Sequence, residues 1–127
     1  MTAFSNYLET KILEHVLSNT AYTSPTTVYL GLHTADPTDA GTGTEVSGNA
    51  YARQSFASTI SGNAASNTAA IEFPTATGSW GTVTHGGVWD SLTTGNLLFH
   101  GALTNSKSIS SGDVLRIPAG DLDITLD

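Results

Sequence analysis

The sequence predicts a mainly β protein: a single antiparallel β-sandwich, jelly-roll-like, or a barrel of about seven to eight strands, preceded by one N-terminal amphipathic helix. Three observations predict it. Apolar residues alternate with a period of two through most of the chain after residue 26. Clusters of Gly, Ser, Asn and Pro interrupt that alternation at short intervals. Only the first twenty residues carry the 3.6-residue period of a helix. A chain of 127 residues is large enough to bury one core. A single domain spanning 1–127 is therefore expected, with the helix over 1–20 and the β-sandwich over 26–127.

In the helical segment Phe4, Leu8, Ile12 and Val16 recur every four positions, and Leu13 and Leu17 widen the stripe. Glu9, Lys11 and Glu14 fall elsewhere, as an amphipathic helix requires. Thr2 is the expected cap and Ser18-Asn19 the expected end. A stripe this wide must be buried, either on the sandwich or on a neighbouring subunit. Phe4, Leu8 and Ile12 are accordingly candidate interface residues.

The first strand is expected over Thr26–His33, where Val28, Leu30 and Leu32 share a face. Thr34–Asn49 is rich in Thr, Gly, Asp and Pro and reads as a long exposed loop, a kind of segment that usually carries function. Alternation resumes over Tyr51–Ile60, a turn follows at Ser61–Asn67, and Thr68–Phe73 is a short strand ending before Pro74. Thr82–Asp90 is the next, with Gly86-Gly87 marking a bulge or a close-packing point. Asn96–Leu103, Asp113–Ile117 and Asp121–Leu126 complete the set, the last two joined by a tight Pro118-Ala119-Gly120 turn. No strand is followed by a second helical pattern, which disfavours alternating β and α units.

Four Lys and Arg stand against eleven Asp and Glu, a formal net charge of −7. The cations Lys11, Arg53, Lys107 and Arg116 are scattered, so neither nucleic acid nor an anionic membrane is an expected partner. Charged residues make up 12% of the chain, against about 25% in ordinary soluble domains. Neutral polar surface of this kind suits contact with other proteins, since few full charges are desolvated. The absence of cysteine excludes thiolate metal and redox sites. Met1–Ser5 lacks a basic region leading into an apolar run, so no signal peptide is expected and synthesis in the cytoplasm is.

Candidate chemistry is sparse. His15, His33, His85 and His100 form no metal-ligand spacing. Asp36, Asp39 and Glu45 in the long loop lack the oxygen spacing of a calcium loop, and Asp121, Asp123 and Asp127 read as turn residues and edge-strand charges. Gly41-Thr42-Gly43 opens no helix that could receive a phosphate, and no nucleophile elbow occurs. A non-enzymatic protein without metal or cofactor is expected. Among the aromatics, Phe73, Trp89 and Phe99 read as core. Trp80, between Ser79 and Gly81, and Tyr51, after Gly48-Asn49-Ala50, are candidate interface anchors.

A succession of segments carries a family resemblance. Met1-Thr2-Ala3-Phe4-Ser5-Asn6-Tyr7-Leu8-Glu9 opens the chain, followed by Val28-Tyr29-Leu30-Gly31-Leu32-His33-Thr34-Ala35-Asp36-Pro37-Thr38 and Tyr51-Ala52-Arg53-Gln54. Phe73-Pro74-Thr75-Ala76-Thr77, Trp80-Gly81-Thr82-Val83-Thr84-His85, Leu97–Leu103 and Gly112–Gly120 continue it. The chain resembles, along nearly its whole length, a family of small proteins of tailed phages and prophages labelled phage tail fibre protein. The resemblance implies a structural virion component with no cofactor and no catalytic residues to transfer. It implies other virion proteins, major capsid or tail, as partners, and a homo-oligomer, a trimer being one order. Without heptads or fibrous repeats the chain cannot itself be a fibre shaft. A compact capsid decoration (cement) or tail-fibre adaptor subunit is the leading expectation. The alternative is a module binding host-surface glycans, with Trp80, Trp89 or Tyr51 stacking on sugars.

Overall fold

The structure, a computed structural model, describes residues 3–126. Its helix α1 runs over Asn6–Leu17. Thr2, the cap expected from sequence, lies outside the described residues; the helix is capped by Ser5, whose Oγ accepts a hydrogen bond from the Leu8 amide at 3.1 Å. Phe4 falls before the helix, in a two-residue strand β1 (Ala3–Phe4). The remaining strands are β2 (Val28–His33), β3 (Gln54–Phe56), β4 (Ser58–Ser61), β5 (Ala64–Asn67), β6 (Ile71–Glu72), β7 (Gly81–Trp89), β8 (Leu97–Ile109), β9 (Arg116–Ile117) and β10 (Asp123–Thr125).

All strand pairs are antiparallel, in three open sheets. The main sheet has the order β1-β8-β7-β2-β3, and two small sheets follow the orders β10-β5-β4 and β6-β9. One face of the main sheet is covered in two patches. Leu30, Leu32, Val83 and Ile109 pack with Ile71, Phe73 and Leu122 toward the β6-β9 sheet. Val88 and Leu98 pack with Ile124 and with Leu8 of the helix. The architecture is thus mainly β behind one helix, as the periodicity predicts. It has two layers rather than a closed barrel, and the second layer is split in two.

The strand count rises to ten among the described residues for identifiable reasons. The segment read as one strand over Tyr51–Ile60 bends at Ala57, so β3 pairs with β2 while β4 pairs with β5. The turn expected over Ser61–Asn67 shrinks to Gly62-Asn63, with Gly62 at φ 60°, and Ala64–Asn67 becomes a strand. Asn67 is buried and bonds from its side chain to the Pro118 and Ala69 carbonyls and the Leu122 amide. It holds the Pro118–Gly120 turn in place. β8 runs six residues beyond its expected end at Leu103. Val83 pairs with Lys107 and His85 with Ala102, so Leu103–Ser106 bulge out opposite Thr84 alone.

Gly86-Gly87 resolves as a close-packing point. Gly31 pairs with Gly87, making a glycine lane across β2 and β7 on one face, while Gly86 pairs with Gly101 on the other. A Cβ on Gly87 would lie 2.8 Å from Leu97 Cδ1 and 2.9 Å from His33 Nε2. The lane lets the rings of His33 and Trp89 lie against the backbone, stacked at 6.0 Å and 14°.

Candidate functional site

Segment 34–53 leaves β2 and returns to β3 with no strand of its own beyond a His33–Glu45 bridge. A segment so long and irregular needs side chains to hold it, and three sets do.

The first is an ion pair. Arg53 and Glu45 are joined twice, Nε to Oε2 and Nη2 to Oε1, both at 2.8 Å. Arg53 Nη1 donates to the Ser91 and Thr94 carbonyls at 2.8 Å each, tying the loop to the β7–β8 turn. The guanidinium also lies 4.0 Å over the Trp89 ring. Its side chain is only 6% exposed, and these bonds engage four of its five N–H donors where water scarcely reaches. Tyr51 Oη donates to Glu45 Oε2 at 2.7 Å and accepts from the Leu32 amide at 2.9 Å. Burial pushes the Glu45 carboxyl up, but the hydrogen bonds from Arg53 and Tyr51 outweigh it and hold the group below the ordinary carboxylate range. Burial, then the hydrogen bond to Glu45, pushes the Tyr51 hydroxyl far up, so it remains a donor. Beside this pair His33 is fully buried and its pKa is lowered, chiefly by that burial.

The second set centres on His100. Its Nε2 lies 2.7 Å from Asp39 Oδ1 and its Nδ1 3.4 Å from Asp36 Oδ1. The two carboxylates sit on opposite ring nitrogens, so they do not converge on one point as metal ligands would. They fasten the loop to β8, and the Asn6 amide reaches the Asp39 carbonyl at 2.8 Å to include the start of the helix. The third set is aromatic. Tyr51 stacks on Phe73 at 6.3 Å and meets Trp80 edge-on at 5.5 Å. Trp80 Nε1 donates to the Asn49 carbonyl at 2.9 Å.

The result is a fixed platform whose outward residues are mostly neutral and polar: Thr38, Thr42, Thr44, Ser47 and Thr93 are exposed, with Leu92 among them.

The residues singled out from sequence are dispersed. Phe4 and Ile12 are half-buried and Leu8 buried, all against the chain's own β8 and β10. Tyr51 is half-buried in the platform's frame, and Trp80, 4% exposed, is core. Trp80 and Trp89 are both buried and the Tyr51 hydroxyl is engaged on two sides, so the aromatic faces expected to stack on a sugar are not presented. This corrects that expectation: flanking turn residues marked Trp80 as exposed, but its indole is drawn inward by Tyr51 and Phe73. Glu45 and Arg53, the centre of the platform, were missed as partners. In the strand expected over Tyr51–Ile60, Tyr51 and Arg53 would share a face at i and i+2, and a lone cation on such a face calls for an acid, which is the signal the sequence offers.

Over residues 3–125 the chain matches the family described as Podophage GP4 fiber I protein gp80. The chain belongs to that family. It is therefore a phage fibre-type protein, a structural component of the virion, as the resemblance implied. That places it among other virion proteins. No match is found among curated proteins. Among the described residues, no helix is long and apolar enough to cross a membrane.

Proposed function

We propose that this member of the podophage fibre family is a compact, non-enzymatic adaptor subunit that binds a neighbouring virion protein through the platform of residues 34–53 and 91–95. The observation that carries the reading is the rigidity of that platform. A loop already fixed by the Glu45–Arg53, His100–Asp and Tyr51–Trp80 contacts loses little further freedom on docking, which is what preorganisation contributes to affinity. Its neutral polar surface desolvates cheaply. Repeated around a symmetric particle, modest contacts of this kind sum to firm attachment.

Leu92, exposed at the platform's rim, tests it. Particles assembled with the Leu92→Asp protein are expected to carry clearly fewer copies by quantitative mass spectrometry of purified virions. The isolated variant should keep close to the wild-type unfolding midpoint, because Leu92 is half exposed and belongs to neither core cluster. Full incorporation of Leu92→Asp would overturn the assignment of this face.

A further inference from the structure

The platform departs from the rest of the chain in which residues it places in the left-handed backbone region. Elsewhere among the described residues, those positions are held by Asn19, Gly62, Gly81, Gly112 and Gly120. Glycine and asparagine are the residues that enter this region at little cost. Within 34–53 and 91–95 other types enter it: Thr38 at φ 59°, Thr44 at 67°, Ala50 at 69° and Thr94 at 53°. A β-branched residue there is an outlier, because its Cβ substituents crowd the backbone.

The conformations themselves have an internal reason. Thr94 turns its carbonyl to Arg53 Nη1 at 2.8 Å. The Gly41 amide closes on the Thr38 carbonyl at 3.1 Å, and the Tyr51 amide on the Gly48 carbonyl at 3.0 Å, across Ala50. Glycine would make each of these backbone contacts equally well. The side chains have no such reason. All four residues are exposed. Thr38 Oγ1 accepts from the Ala40 amide at 3.4 Å and Thr94 Oγ1 donates to the Thr93 carbonyl at 2.6 Å, both within their own turns. Thr44 differs, since its hydroxyl also reaches the Ala35 carbonyl at 3.1 Å and so serves the loop.

We propose that Thr38, Ala50 and Thr94 are specificity-determining contact residues, the side chains by which the platform recognises the neighbouring virion protein. This rests on the reading of the platform as the docking face and adds which side chains touch and what they select. Strain that no contact within the chain offsets is the kind found at functional sites, where stability is given up for a side chain that something else uses. The two threonines each supply a hydroxyl that both donates and accepts, and with Ala50 they supply three methyl groups. The surface that fits them is neutral, with hydrogen-bonding groups set beside small apolar ones.

Replacement by glycine separates contact from structure, because the two roles move stability in opposite directions. Thr38→Gly, Ala50→Gly and Thr94→Gly are each expected to raise the folded-to-unfolded ratio of the isolated protein about two- to fivefold in urea unfolding. Virions assembled with the triple variant are nevertheless expected to carry at least about threefold fewer copies by quantitative mass spectrometry. A side chain that served only the fold would lower the ratio when removed. Full incorporation of the triple variant overturns the proposal, and so does a ratio that fails to rise in any of the three single variants. Reduced incorporation of Leu92→Asp beside full incorporation of the triple variant sinks this assignment alone. Full incorporation of both sinks the platform with it.

Discussion

Loop 34–53 and helix α1 meet where the Asn6 amide bonds the Asp39 carbonyl, and they are secured in opposite ways. The loop has almost no regular hydrogen bonding, yet side chains tie it at three places: His100 of β8 holds Asp39, Trp80 holds the Asn49 carbonyl, and the loop's own Arg53 reaches the Ser91 and Thr94 carbonyls. The helix satisfies its own backbone, and only its first two turns touch the sheet. Its last turn stands clear, with Leu13, Val16 and Leu17 in the open. Regular secondary structure supplies backbone partners, but only tertiary contact supplies fixity, so the irregular segment is the better anchored of the two.

The largest effect should come from breaking the loop's central pair. Arg53→Ala leaves Glu45 half-buried with one hydrogen bond from Tyr51, and removes the bonds to the Ser91 and Thr94 carbonyls. Removing one partner of such a pair costs about 3–5 kcal/mol, read as a lowered urea midpoint at unchanged slope. A loss below about 1 kcal/mol would mean that the loop is held by its aromatic end alone, and the contrast with the helix would collapse.

How much of this was legible follows from what each region relies on. The helix, β2 and β7 are written in local periods of 3.6 and two, and they stand within a few residues of their expected places. Strands β5 and the outer half of β8 were missed because Ala64–Asn67 and Thr104–Ser108 are small and polar; pairing with a neighbour, not their own pattern, makes them strands. The platform was legible as a loop with a role but not as a set of contacts, since His100 and Asp39 are separated by sixty-one positions and only the fold joins them. Trp80 illustrates the limit from the other side: Ser79 and Gly81 suggest exposure, and tertiary packing overrides them.

Acid should weaken the loop before the helix. An unfolded histidine takes a proton near 6.5, whereas His33, buried and with Nε2 making no hydrogen bond, resists protonation until lower pH. Stability therefore falls as pH drops from about 6.5 toward the lower folded value. Glu45 has the opposite charge and adds to the same trend. Its contribution is complete above the unfolded carboxyl's value of about 4.3 and is lost as pH falls through its depressed folded value. Urea unfolding at pH 7.5, 5.5 and 3.5 should show two declines. His33→Gln should remove the upper one, and retention of that decline in the variant would assign it to another group.

The smallest expected effect is also the sharpest on the helix side, and it needs two substitutions on opposite faces of α1. Leu8→Ala removes a buried side chain from the cluster with Val88, Leu98 and Ile124 and should cost about 2–3 kcal/mol. Leu17→Ala, made on the same helix with the same chemistry, should change monomer stability by less than about 0.5 kcal/mol, because Leu17 is exposed and alanine is the better helix former.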